Sequence, residues 1–281
     1  MYRSSARQPP IGVESSSVGF DAGGGEQNHS NQKQCKESGA CLQPGKSAYS
    51  TYPPTARLEP TFKTAFHLAS TQARYALERR AWNEAARIVP REPAALDWDR
   101  FTWPEAIARF ARGLGAAHLG KVDEARAAGE RLEELEAASR KAGEDLFARN
   151  IRMLRLELNA WLAHVGRQEE SSVALMREAA ELESSTPKYA VTPGPTLPAH
   201  ELLGDLLMEQ KQPAEALAAY KRSMELYPRR FNGLLGAARA ARALGDESSA
   251  RIFYQELLEV ADGGTRQPAL KEAENYAAQR R

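Results

Sequence analysis

Two consecutive stretches decide the fold: residues 197–228 read LPAHELLGDLLMEQKQPAEALAAYKRSMELYP, and residues 231–262 read FNGLLGAARAARALGDESSARIFYQELLEVAD. Both stretches place small and large apolar side chains in the same register, 34 residues apart. In the first stretch these are Leu203, Gly204, Leu207, Ala216, Tyr220 and Pro228, and in the second Ala237, Ala238, Ala241, Ala250, Tyr254 and Asp262. A period of this length predicts repeated helical hairpins.

The spacing within each stretch predicts two helices in close contact. Because a helix has about 3.6 residues per turn, Leu203 and Gly204 lie on the same face as the apolar residues one turn away. The small side chains of Gly204 and Ala216 allow the two backbones to approach, and Tyr220 fills the space beside that contact. Pro228 has no amide hydrogen and ends the second helix. A lone hairpin cannot bury its apolar face, so the hairpins must stack.

These positions resemble the tetratricopeptide repeat (TPR), in which small and large residues recur every 34 residues. The resemblance is regular over 197–262 and irregular over 61–185. It implies an all-α fold, a TPR-like α-solenoid of about five antiparallel helix hairpins plus a C-terminal capping helix. It also implies a role as a binding scaffold. The domain organisation that follows is a low-complexity tail at 1–60 and a helical repeat domain at 61–281.

The irregular part of the chain still shows helical spacing. It predicts a short first hairpin, two longer hairpins and a final polar helix, at 61–90, 104–141, 143–183 and 268–279. In the third hairpin the small position falls on Ser171, which leaves its register open by one residue. Four prolines exclude a helix from 184–198. In the link 90–103, the aromatic side chains Trp98, Phe101 and Trp103 are expected to pack onto the helices.

Residues 1–60 are rich in Gly, Ser, Pro, Gln and Asn, and their apolar residues show no period. Such a segment cannot bury enough surface to offset its ordering entropy, which predicts disorder. Residues 40–47 read ACLQPGKS, which is close to a phosphate-binding P-loop. That loop needs a buried strand before it and a helix after it. The polar residues 31–39 and the prolines at 53 and 54 argue against both, so we do not predict a nucleotide site.

The composition argues against several classes of function. The 281 residues include 38 Lys and Arg against 37 Asp and Glu, and this balance argues against nucleic-acid or electrostatic membrane binding. No apolar run reaches the roughly 18 residues of a membrane span, and the lack of a signal sequence favours the cytoplasm. Cys35 and Cys41 have only His29 nearby, so we interpret them as exposed thiols without a metal. The sequence does not decide whether they pair.

No catalytic motif stands out in the sequence. His200 and Glu201 form half of the zinc motif H-E-x-x-H, but Gly204 replaces the second histidine. We therefore interpret this pair as part of a solvent-exposed helix face. The sequence also lacks a nucleophile elbow and a dinucleotide-binding turn. We predict that the protein is not an enzyme and has no catalytic, cofactor-binding or metal-binding residues.

The TPR resemblance places a partner in the concave groove of the superhelix. In TPR-like proteins, positions 2, 5, 9, 12 and 13 of each first helix line that groove. The candidate peptide-binding residues are therefore Glu201, Asp205, Met208, Asn232, Leu235, Arg239 and Arg242. Arginine offers paired donors for a carboxylate or a peptide backbone. The alternative interpretation is that these charged residues pair with one another at the surface.

The predicted function is a protein–protein interaction scaffold that binds a peptide or protein partner in the groove. Positions 5 and 9 hold Glu201, Asp205, Leu235 and Arg239, so the Lys and Asn residues with which some TPRs clamp chaperone C-termini are absent. One alternative is a C-terminal regulatory or structural part of a larger TPR solenoid, because the first hairpin is degenerate. A second alternative is an enzyme on a helical solenoid, a hydrolase or lyase, which would need polar groups with perturbed pKa values in a deep pocket. The partner's identity and the oligomeric state are not predicted.

Overall fold

A computed structural model describes residues 61–186, 196–261 and 268–278, which lie in one compact unit spanning 58–281. These residues form eleven α-helices, one 3-10 helix at Trp98–Arg100 and no strand. The α-helices are α1 Phe62–Glu78, α2 Trp82–Ala85, α3 Thr102–His118, α4 Val122–Lys141, α5 Asp145–Val165, α6 Glu169–Ser184, α7 Ala199–Glu209, α8 Pro213–Leu226, α9 Phe231–Ala243, α10 Glu247–Val260 and α11 Pro268–Ala278. The all-α prediction is confirmed for this part of the chain.

Consecutive helices pack in pairs, which gives five hairpins: α1–α2, α3–α4, α5–α6, α7–α8 and α9–α10. Each hairpin packs on the next one, and α11 packs on α10. The predicted TPR-like solenoid with a C-terminal capping helix is therefore confirmed. None of the described helices combines the length and the apolar character that a membrane crossing requires. The predictions for 1–60 and for the proline-rich 187–195 lie outside the described residues.

The ring of Tyr220 explains why glycine occurs in both α7 and α9. A Cβ atom added at Gly204 would lie 2.6 Å from the Tyr220 ring, and one added at Gly236 would lie 2.3 Å from it. The ring is 2% exposed, so it forms a buried wedge between the two helices. Its hydroxyl donates to Asp205 Oδ1 at 2.7 Å. Gly204 and Tyr220, a small and a large position of the sequence repeat, therefore take part with Gly236 in one contact that joins the fourth hairpin to the fifth.

The link between α2 and α3 packs on the array as expected. The side chains of Trp98, Phe101 and Trp103 are between 4% and 6% exposed. The indole nitrogen of Trp98 also donates to the carbonyl of Pro93 at 3.0 Å. Three buried aromatic side chains thus hold a connection that has little regular secondary structure.

Asp246 is the N-cap of α10, since its side chain accepts from the amide of Ser249 at 3.1 Å. The hydrogen bonds from Ser249 lower the pKa of Asp246 to about 2.

In the third hairpin the small position is Ser172, which is fully buried, whereas Ser171 is exposed. The alternative register, shifted by one residue, is therefore the one adopted, and it lets Ser172 Oγ donate to the carbonyl of Glu169.

Several carboxylates are buried between the helices, and most of them are paired. Glu105 is fully buried and accepts hydrogen bonds from Arg91, Arg109 and Arg131. Burial alone would raise the pKa of Glu105, but the bonds from Arg131 and Arg91 hold it below its usual value. Glu157 on α5 differs, because it is fully buried and neither carboxyl oxygen has a hydrogen-bond partner among the described residues.

We expect Glu157 to make stability fall as the pH rises. Burial raises the pKa of Glu157 well above the ordinary 4.5, and the neighbouring Glu183 raises it further. Above the unfolded pKa of about 4.5, the unfolded chain releases the proton of Glu157, whereas the folded protein keeps it. The stability that this group contributes is therefore lost as the pH rises toward its folded pKa. Above about pH 5, and until the pH reaches the folded pKa of Glu157, the wild type should lose up to about 1.4 kcal/mol of unfolding free energy per pH unit through this group. The free energy of unfolding of Glu157→Gln, measured by urea titration at several pH values, should lack this pH dependence. If the unfolding free energies of the two proteins change with pH in parallel, the raised pKa of Glu157 is contradicted.

Candidate functional site

A recess of about 390 Å³ opens between the first helices of the hairpins, and all five hairpins contribute to its wall. We call it the central recess. Five of the seven candidate groove residues line it: Asp205, Met208, Asn232, Leu235 and Arg239. The first three hairpins contribute Arg80, Trp82, His118 and Trp161. The recess therefore brings together residues that are far apart in the sequence.

Four aromatic side chains from the first three hairpins pack in a line that we call the aromatic row: Trp82, His118, Trp161 and His164. Trp82 and His118 stack with ring centroids 3.7 Å apart, and the His118 and Trp161 centroids are 4.1 Å apart. Trp161 meets His164 edge-on at 5.6 Å. Burial lowers the pKa of His118 to about 3, so its imidazole is neutral at physiological pH. Three members of the row, Trp82, His118 and Trp161, form an aromatic part of the wall of the central recess.

A second recess of about 350 Å³ lies beside the first and shares His118, Trp161 and Glu209 with it. At this point His164 Nε2 lies 2.9 Å from Glu209 Oε2, so the third and fourth hairpins are joined by a hydrogen bond. The Glu209 side chain is 50% exposed. The aromatic row therefore borders both recesses, with one accessible carboxylate between them.

Charged side chains at the end of the first hairpin contact the fourth and fifth hairpins. We call this group the closing cluster, and it consists of Glu78, Arg80, Glu201, Asp205, Arg230 and Asn232. Arg80 Nη2 donates to Glu201 Oε1 at 3.0 Å and to Asp205 Oδ2 at 2.6 Å. Arg230 donates to Glu201 Oε2 at 3.0 Å and to Glu78 Oε2 at 2.8 Å. Asn232 Nδ2 donates to the carbonyl of Glu78 at 2.9 Å.

The closing cluster shows how strongly the array curves. The residues that the first hairpin contributes to this cluster are separated in the sequence from those they contact by 121 to 154 positions. A straight stack of hairpins would keep these elements apart, because each hairpin would then touch only its neighbours. The array instead curls until its first hairpin contacts the fourth and fifth, and the central recess is the space enclosed.

The prediction that His200 and Glu201 belong to a solvent-exposed helix face is wrong. Glu201 is fully buried, because the first hairpin covers it and supplies Arg80. The His200 ring is half-buried, and its Nε2 lies 3.0 Å from Ser184 Oγ. Within the described ranges, no group of three or more His, Cys, Asp or Glu side chains is arranged to hold a metal ion.

The candidate basic residues pair with the capping helix. Arg239 Nη2 donates to Glu272 Oε2 at 2.6 Å, and Arg242 Nη1 lies 3.7 Å from Glu272 Oε1. The hydrogen bond from Arg239 lowers the pKa of Glu272. Both arginine side chains are still about half exposed, at 46% and 51%. They lie at the rim of the array with only part of their donor capacity in use.

Charge and burial oppose each other at Asp205. Burial raises the pKa of Asp205, and the charge of Arg80 only partly offsets that effect. Burial also opposes the charge of Arg80, but Asp205 and Glu201 together raise its pKa above the usual value. Trp161 also lines the recess, and its buried indole nitrogen has no hydrogen-bond partner among the described residues. The recess thus combines a strongly held ion pair with a donor that the described chain leaves unused.

Sequence reasoning missed the aromatic row and the closing cluster. His118 holds position 13 of its first helix when Gly120 is aligned with the turn glycine Gly245, and His164 holds position 12 when Arg167, the left-handed residue of its turn, is aligned with Gly245. That alignment would have suggested that both histidines face the same side as the candidate groove. Nothing in the local sequence of Arg80 indicates a contact with Glu201.

Comparison with protein families agrees with the fold of the fourth hairpin. A family model described as a tetratricopeptide repeat matches residues 198–230. A solved structure described as a kinesin light chain with nearly identical TPR-like repeats, from Podosopora anserina, is 16% identical. That alignment covers 75% of this chain and 100% of the other, with a TM-score of 0.40. No curated protein matches the chain.

Proposed function

Because this chain is a tetratricopeptide-repeat protein, we propose that it binds a protein partner through a short segment held in the central recess. TPR domains generally bind proteins, and helical solenoids of this type are typically not enzymes. The observation that carries the proposal is that all five hairpins contribute side chains to one recess.

The chemistry of the wall supports a partner side chain or chain end as the occupant. Aromatic residues and arginine are enriched at the energetic centres of protein interfaces. Here Trp82 and Trp161 line the recess together with the apolar side chains of Met208 and Leu235. The closing cluster joins the two ends of the array, so the enclosed space suits an inserted group better than a long extended peptide. A volume of about 390 Å³ falls within the usual range of binding pockets.

We expect Met208→Glu to weaken partner binding at least about tenfold, because it places an uncompensated charge in the recess. Binders are first selected from a random peptide library against the full chain, and their affinities for the wild type and the variant are then compared. Ile252→Glu is the matched control, since it makes the same kind of change at a side chain on α10 that is 54% exposed and does not line the recess. The proposal fails if every selected peptide binds both variants as well as it binds the wild type.

A further inference from the structure

The position of Arg80 shows what kind of group the fourth hairpin can hold. Its guanidinium lies between the carboxylates of Glu201 and Asp205, at 3.0 Å and 2.6 Å. It also lies 5.8 Å from the ring centroid of Trp82, within range of a cation–π contact. Two acceptors and an aromatic ring around one guanidinium form an arginine-binding site.

The two carboxylates are positioned without help from Arg80. The second oxygen of Asp205 accepts from the Tyr220 hydroxyl at 2.7 Å, and the second oxygen of Glu201 accepts from Arg230 at 3.0 Å. Tyr220 is held in turn between Gly204 and Gly236. These residues all belong to the fourth and fifth hairpins or to the connection between them. The site should therefore keep its form when the side chain of Arg80 is absent.

Arg80 occupies the site from a separate element, the turn between α1 and α2. Its backbone φ is 52°, in the left-handed region, where the corresponding turns hold Gly120 and Gly245 at 70° and 73°. The apolar face of α1 is buried through its own side chains, among them the fully buried Leu77. The side chain is 21% exposed and lines the central recess. It can therefore move without unpacking α1.

The space for a replacement is directly beside this arginine. The central recess borders Arg80, Asp205 and Trp82, and its volume of about 390 Å³ exceeds the needs of one side chain. Its wall also includes Trp161, which is 1% exposed and has an indole N–H without an acceptor among the described residues. A partner that enters the recess thus lies beside Asp205 and the side chain of Arg80.

We propose that Glu201 and Asp205 form the receptor for an arginine side chain of the protein partner, and that Arg80 fills this receptor as an internal competitor. The inference rests on the proposed function of the central recess. Without Arg80, the two buried carboxylates would share the single guanidinium of Arg230, which is unfavourable, so an occupant that displaces Arg80 must itself be cationic. A guanidinium matches two carboxylates with its planar fork of donors, whereas a lysine ammonium is a single point charge. The partner class is therefore a protein segment that presents an arginine.

The test removes the Arg80 side chain from the acidic pair and adds a small arginine derivative that can bind in its place. In the full chain, Arg80→Gly removes the side chain and gives the turn the residue that its left-handed backbone favours. Addition of about 20 mM N-acetyl-L-arginine amide should raise the Tm of this variant by about 3 °C and leave the wild type unchanged. The citrulline analogue, which has the same shape but no charge, should have no effect. Arg79→Ala is the matched control, because Arg79 forms an exposed ion pair with Glu84 and contacts the Tyr75 ring, outside the acidic pair, and this variant should not respond to the probe.

Arg80→Gln provides a second variant, since its amide can still donate one hydrogen bond to the acidic pair. If either variant unfolds, recovery of cooperative unfolding with the arginine probe replaces the Tm shift as the readout. The inference is overturned if neither variant responds more than the wild type, or if the citrulline analogue acts equally well. Peptides selected for the recess should also bind Arg80→Gly at least about tenfold more tightly than the wild type. If the variants of Arg80 do not respond to the arginine probe while Met208→Glu still weakens binding of the selected peptides, this inference is contradicted and the proposed function is not.

Discussion

Replacing Glu201 by alanine is expected to lower the free energy of unfolding by about 3 kcal/mol. The side chain is fully buried and accepts hydrogen bonds from both Arg80 and Arg230. Its removal leaves two guanidinium groups facing each other across an emptied space. Asp205 and Glu78 still pair with those groups, so the loss should lie at the lower end of the range for a broken buried ion pair. Urea-induced unfolding measured by circular dichroism provides the free energy.

Glu209→Ala is the matched control for this experiment. Glu209 lies two turns further along α7 and also takes part in a pair between hairpins, with His164. Its side chain is 50% exposed, so we expect its loss to change the free energy of unfolding by less than about 1 kcal/mol. Equal effects of the two substitutions would mean that Glu201 is not a buried member of the closing cluster.

Replacing Gly236 by alanine is expected to destabilise the protein by about 3 kcal/mol, although alanine normally stabilises a helix. The new Cβ would lie 2.3 Å from the Tyr220 ring. The ring cannot move aside easily, because Gly204 also packs against it and Asp205 accepts a hydrogen bond from its hydroxyl. Overpacking at this contact should therefore outweigh the gain in helix propensity. Thermal and urea unfolding of the variant measure the difference.

Gly233→Ala on the same helix should have the opposite sign. A Cβ at Gly233 would meet its nearest neighbour, Met224 Cγ, at 3.4 Å, which is a tight but tolerable contact. Helix propensity should then stabilise this variant by up to about 1 kcal/mol. If Gly236→Ala also stabilises the protein, the wedge formed by Tyr220 does not join the fourth and fifth hairpins in the way described.

The hairpins could be predicted from the sequence because their determinants are local. Gly204, Ala216 and Tyr220 recur in register with Ala238, Ala250 and Tyr254, and each set acts within one hairpin or between neighbours. The register predicted which helices pair and where the small contacts lie. Even the irregular hairpins kept their apolar periodicity, so their helices were placed correctly.

The closing cluster could not be predicted in the same way. The burial of Glu201 depends on Arg80, which lies 121 residues earlier in the sequence. Small differences in packing between successive hairpins add up over the array, and this sum decides whether the ends meet. No local pattern encodes such a sum. The concave positions were therefore identified from the TPR resemblance, but the partners of Glu201, Asp205 and Asn232 within the chain were not.

The curvature of the array, with the first hairpin held against the fourth, is tested most directly by a double-mutant cycle on Arg80 and Asp205. Their side-chain atoms are 2.6 Å apart, and the two residues are separated by 125 positions in the sequence. The unfolding free energies of Arg80→Ala, Asp205→Ala and the double variant should give an interaction energy of about 2 kcal/mol. Effects that add to within about 0.5 kcal/mol would show that the two hairpins do not meet, and would contradict the closed array.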